Sequence, residues 1–105
     1  METAFAVLAE PRRRQILDLL RHGECPVGEL VERLELAQPT VSKHLRVLRE
    51  AGLVHVRQDA QRRLYRLRLE PLAELDAWLE PYRRMWNEHL DALQRHLDSS
   101  PDERN

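Results

Sequence analysis

The sequence predicts a mainly helical domain carrying one β-hairpin, an α+β arrangement. Three observations support it: apolar residues recur every three or four positions through most of the chain, the period drops to two over residues 54–69, and basic residues gather around that change. At 105 residues, with 42% hydrophobic and 33% charged side chains, the chain suits a single compact domain. That domain is expected over residues 1–98, ahead of a disordered polar tail at 99–105.

Phe5, Val7 and Leu8 form a short apolar segment that ends at Glu10. Pro11 then suits the first turn of a new helix, where its missing N–H costs nothing. Ile16, Leu17, Leu19 and Leu20 form its apolar stripe and Gly23 stops it. Val27, Leu30, Val31 and Leu34 predict the next helix, and after an interruption Pro39 opens another over residues 39–51. Val41, Leu45 and Leu48 are its inward stripe, closed by Gly52 with apolar Leu53 behind it, the sequence of a glycine-terminated helix.

Val54 and Val56 then alternate with His55 and Arg57, as do Tyr65, Leu67 and Leu69 with Arg66 and Arg68. This predicts a hairpin with a polar loop over Gln58 to Arg63, in which Ala60 is strained if its φ is positive. Leu72, Leu75, Leu79, Tyr82, Trp86, Leu90, Leu93 and Leu97 restore helical spacing. Pro81 predicts a break or a kink, with one helix ending near Leu79 and a second starting around Pro81.

The net charge of −1 conceals segregation. Residues 1–38 carry −2, residues 39–68 carry +6 and residues 69–105 carry −5. Helix, helix, tight turn, helix and hairpin is the winged helix-turn-helix order, and the basic block coincides with its second helix and its wing. A helix fits the major groove of B-DNA, and its N-terminal residues meet base edges. With Val41, Leu45 and Leu48 turned inward, Gln38, Thr40, Ser42, Lys43 and Arg46 are free to face DNA. Gln38 suits adenine, Lys43 suits guanine, and the two hydroxyls suit a base or a phosphate. Arg62 and Arg63, in a wing expected over residues 57–66, are placed for phosphates or the minor groove. His44 is open between packing near the hairpin and a DNA contact. An acidic protein partner on the basic face is the alternative reading.

The segment Leu8-Ala9-Glu10-Pro11-Arg12-Arg13-Arg14-Gln15-Ile16-Leu17 resembles the opening LADPTRRxIL of the ArsR-type family of bacterial winged-helix repressors. Gln38-Pro39-Thr40-Val41-Ser42-Lys43-His44-Leu45, followed by Leu48-Arg49-Glu50-Ala51-Gly52-Leu53-Val54, resembles that family's recognition helix, QPTVSxHLxxLxxAGLV. The resemblance spans roughly residues 4–98. It implies a homodimeric DNA-binding transcriptional regulator, usually a repressor, with dimer contacts from the first and last helices and DNA contacts at Gln38, Thr40, Ser42 and Lys43. Two departures stand out: Ala37 replaces a serine at the expected N-cap, and Ala60 replaces the usual wing glycine.

Many members of that family bind soft metals through the paired cysteines of an ELCVCDL segment. The matching segment here is Glu24-Cys25-Pro26-Val27-Gly28-Glu29-Leu30, which puts Pro26 and Gly28 at the ligand positions. Cys25 is the only cysteine, so neither that site nor a disulfide framework is expected. His89 and His96 lie seven apart on the last helical stretch but do not match the family's second ligand pattern. No metal and no cofactor is expected, and no effector is identified.

Trp78, Tyr82 and Trp86 lie in the final helical stretch, and Phe5 lies in the first. A long amphipathic stripe must be covered, and the helix-turn-helix already has its own core. A two-fold dimer through Phe5, Trp78, Tyr82, Trp86, Leu90 and Leu93 would cover it. It would also set two recognition helices about 34 Å apart, facing successive major grooves of a pseudo-palindromic operator. A glycine-rich phosphate loop, an HExxH pair and a nucleophile with a spaced base are all missing, so no enzyme is expected. With neither a bilayer-length apolar run nor a signal-type segment after Met1, the expected location is cytoplasmic, away from membranes.

Overall fold

The computed structural model describes residues 2–99. The elements run α1 (Glu2–Leu8), α2 (Pro11–Leu20), β1 (Cys25–Pro26), α3 (Val27–Leu34), α4 (Gln38–Glu50), β2 (Val54–Asp59), β3 (Arg62–Leu67) and α5 (Glu70–Asp98). They form two compact units, one reaching Glu74 and the other starting at Leu75. The expected tail at 99–105 lies outside the described residues except for Ser99.

In the first unit, α2 begins where Pro11 predicts, and the Glu10 carboxylate accepts from the Arg12 backbone N–H at 3.2 Å. The end of α4 also follows the sequence. Gly52 adopts φ +76°, its N–H reaches the Arg49 carbonyl at 3.0 Å, and the Leu53 N–H reaches the Leu48 carbonyl at 2.9 Å. Two otherwise unpaired carbonyls are thereby satisfied, and Leu53 is drawn into the core, where it is fully buried. Ile16, Leu30, Val41, Leu45 and Leu48 are also fully buried, so α2, α3 and α4 meet around one apolar centre. Each such side chain contributes about 1.5–3 kcal/mol through its removal from water.

The turn from α3 to α4 is held by Glu35 at φ 55°, a left-handed conformation that glycine would adopt without strain. Ala37 caps α4 with no side-chain hydrogen bond, as the missing hydroxyl foretells. In the hairpin the strands reach further than the sequence pattern implies, pairing Asp59 with Arg62 and leaving only Ala60 and Gln61 as the turn. Ala60 sits at φ 57°, the positive value a two-residue hairpin turn requires.

Three expectations are corrected. First, β1 is an unforeseen third strand, pairing Cys25 with Tyr65 and Pro26 with Leu64, so the sheet order is β1-β3-β2. Two residues are too few to show alternation in sequence, and Pro26 argues against a strand unless it lies on an edge, which it does. Second, β3 ends at Leu67, and Leu69 is exposed in the link to α5. Third, α5 continues through Pro81 instead of breaking there. A proline removes one N–H, which leaves the Ala77 carbonyl without its helical donor. Ala77 and Pro81 are both exposed, a setting in which solvent can satisfy the freed carbonyl at little cost, and the helix continues.

Candidate nucleic-acid interface

The sequence-nominated residues of α4 occupy two sides of that helix. At about 100° per residue, Gln38, Ser42 and Arg49 fall in one row with Arg46 beside it, whereas Thr40 and His44 fall on the opposite flank of the buried stripe. The first row faces the wing across a groove of about 610 Å³. Gln38, Ser42, Lys43, Arg46 and Arg49 line it from α4, Arg63 lines it from β3, and Val27, Leu45 and Tyr65 form apolar floor. Thr40 is exposed but outside this groove. Arg62 instead lines a neighbouring cleft of about 540 Å³ with Pro26, Gly28, Gln58 and Gln61, and Arg63 borders both clefts.

The basic residues of this region differ in what already holds them. Arg57 makes two hydrogen bonds to the Glu24 carboxylate, at 2.7 and 2.8 Å. The bonded guanidinium holds Glu24 below the usual carboxylate range and raises Arg57 in turn. Arg62 reaches Asp59 at 3.3 Å and Arg68 reaches Glu70 at 3.5 Å. Among the described residues, no carboxylate lies within 4 Å of Lys43, Arg46, Arg49 or Arg63. All four cations lining the larger groove thus lack a carboxylate within 4 Å among the described residues, as does Arg66 outside it, and a polyanion would supply the groove with a counter-charge.

His44 packs against Arg13 of α2. Its Nδ1 accepts from the Arg13 Nε at 3.3 Å, and Arg13 also donates to the Val7 carbonyl at 3.4 Å, so one side chain ties α1, α2 and α4 together. Burial first, then the adjacent Arg13 charge, push the imidazole below its ordinary pKa. Arg49, outside the set nominated from the sequence because it is remote from the helix N-terminus, also lines the groove and shares the Gln38–Ser42 row.

The thiolate metal site expected of the resembling family does not fit these residues. Pro26 lies in β1 and Gly28 in the first turn of α3, and neither has a donor side chain. Cys25 is buried and donates to Glu29 Oε2 at 3.4 Å; burial and that carboxylate push its thiol up to about 11, so it keeps its proton. Among the described residues, no group of three or more His, Cys, Asp or Glu could hold a metal ion. Nor is any described helix long and apolar enough to cross a membrane.

Beyond Leu75 the apolar stripe of α5 is largely exposed among the described residues. Leu79, Tyr82, Met85, Trp86, Leu90, Leu93 and Leu97 are all exposed, Trp86 by 66%. The rings of Trp78 and Tyr82 pack with centroids 4.8 Å apart. Phe5 on α1 is 40% exposed.

Comparison with known proteins gives the same reading. A family model described as "Bacterial regulatory protein, arsR family" matches residues 10–56, from the start of α2 into β2. The HTH-type transcriptional regulator Rv2034 of Mycobacterium tuberculosis is 38% identical over 102 residues, covering 97% of this chain and 92% of that protein. The transcriptional repressor SdpR of Bacillus subtilis is 30% identical over 79 residues, covering 75% of this chain and 88% of SdpR. Among solved structures, a homodimeric winged helix-turn-helix DNA-binding domain from Mycobacterium bovis superposes with a TM-score of 0.65 at 34% identity. That match covers 79% of this chain and 77% of the other.

Proposed function

Because this chain belongs to the arsR family of bacterial regulatory proteins, and is a DNA-binding transcriptional regulator and not an enzyme, we propose that it is a homodimeric repressor reading a pseudo-palindromic operator. The observation that carries this reading is the groove between α4 and the wing, lined by four cations that have no carboxylate within 4 Å among the described residues. α4 enters the major groove by its N-terminal end. Gln38, Ser42 and Lys43 reach base edges there, and Thr40 on the other flank reaches a base or the adjacent strand's phosphate. Arg62 and Arg63 hold the wing on the backbone or in the minor groove. Of these two, Arg62 must first exchange Asp59 for DNA, so Arg63 is the stronger contact.

A second copy covers the exposed face of α5, with Trp78, Tyr82, Trp86, Leu90 and Leu93 at the contact and Phe5 contributing from α1. Residues 1–98 thus act as one binding and dimerising domain. Repression follows from occupancy: a dimer bound across a promoter excludes polymerase without a further domain. Such a protein works in the cytoplasm, where its DNA is. With Pro26 and Gly28 at the thiolate positions, its regulation does not run through that metal site.

The test is binding to a duplex selected from a random library by the protein itself. Lys43→Ala lowers affinity for the selected duplex by about 1–3 kcal/mol and leaves random DNA much less affected. Equal losses on both would remove Lys43 from base reading, and salt-insensitive binding would favour an acidic protein partner for the basic face.

A further inference from the structure

Resting on that reading, we propose that the inner end of the groove is a phosphate clamp, in which Arg49 joins Arg46 and Arg63 around one backbone phosphodiester of the bound duplex. The clamp is separate from the base-reading residues at the N-terminal end of α4. Arg49 lies eleven residues beyond Gln38 on the same side of the helix, about 16 Å along the axis at 1.5 Å per residue. A helix that enters the major groove by its N-terminus has left the base edges at that distance and is passing the sugar-phosphate strand. Arg46 lies one turn before Arg49, and Arg63 stands across the groove on β3, one pleat from Tyr65 on the same face of the strand.

Three guanidiniums therefore line one cleft, and among the described residues none has a carboxylate within 4 Å. Three like charges lining one cleft give it a positive potential that an anion would relieve, whereas Arg57 already has Glu24. A phosphodiester supplies that charge and accepts several N–H bonds at once, which suits the fork of arginine better than a point cation. The absence of a nearby acid also distinguishes these residues from Arg57, Arg62 and Arg68, which count equally towards the net charge of the basic block but are already engaged.

The experiment measures binding of wild type, Arg49→Gln and Arg57→Gln to a random-sequence duplex of about 30 base pairs and to the selected duplex, across a fourfold range of salt. Thermal melts of the free proteins show whether each variant is folded. Loss of one phosphate contact lowers the salt slope by about 0.9, so the fourfold salt increase weakens Arg49→Gln roughly 3.5-fold less than wild type. Arg49→Gln should weaken both duplexes by the same factor and leave their affinity ratio unchanged, while Arg57→Gln retains the wild-type slope. An unchanged slope for Arg49→Gln on DNA that wild type binds would overturn the clamp and leave the regulator reading standing. A loss confined to the selected duplex would overturn it in favour of base reading. Failure of wild type to bind any duplex would overturn both.

Discussion

Helix α4 and the part of α5 beyond Leu75 carry the same kind of pattern, an apolar stripe at three- and four-residue spacing among charges, yet they end in opposite environments. The stripe of α4, Val41, Leu45 and Leu48, is fully buried against its own chain, and that of α5 is exposed from Leu79 to Leu93. Periodicity shows that a face must be covered but not which molecule covers it. In α4 the covering surface comes from α2, α3 and the sheet, whose apolar residues the same chain supplies. An exposed row containing Trp86, Met85 and Tyr82 is what an association surface looks like before its partner arrives.

The contrast is broken most sharply by cutting into each stripe. Leu45→Ala removes a fully buried side chain and leaves a cavity among α2, α3 and α4, so it should cost about 2–5 kcal/mol and lower Tm by on the order of 10 °C or more. Trp86→Ala removes a larger side chain from an exposed position, and packing within the chain should hardly notice. Its expected effect is on association: a central aromatic anchor is worth about 2 kcal/mol or more, roughly a thirtyfold rise in the dimer dissociation constant. Sedimentation at micromolar concentration checks this directly. A wild-type monomer there, or a Trp86→Ala variant that melts as badly as Leu45→Ala, would remove the distinction between the two faces.

What the sequence disclosed, and what it hid, follows the same division. Elements whose signals are local were legible: Pro11 at the start of α2, Gly52 and Leu53 at the end of α4, and the change of period into the hairpin. β1 was hidden because a two-residue strand exists only through its pairing with β3. The continuity of α5 was hidden because the cost of Pro81 depends on whether water can reach the Ala77 carbonyl, which is a fact about exposure. In the candidate interface, residue types and helix position sufficed to nominate Gln38, Ser42, Lys43, Arg46 and Arg63. Separating Arg63 from Arg62 required knowing where the Asp59 carboxylate falls in space.

The smallest expected effect tests how α4 is fixed to the rest of its unit. Neutral His44 accepts the Arg13 Nε–H at 3.3 Å; protonation removes that acceptor and sets two cations side by side, with Arg12 and Lys43 adding to the repulsion and Glu10 opposing it. Burial and Arg13 accordingly lower the folded pKa below the ordinary 6.5. As pH falls, the unfolded chain takes up this proton before the folded one does. The contribution is therefore complete above 6.5 and is lost as pH drops through the lowered folded value. His44→Gln keeps an amide oxygen for Arg13 and cannot titrate in this range. Urea unfolding at about pH 7.5 and pH 5.5 should show wild type losing more stability than His44→Gln over the interval. Equal losses would mean that the Arg13 contact does not couple the proton to the seating of the recognition helix.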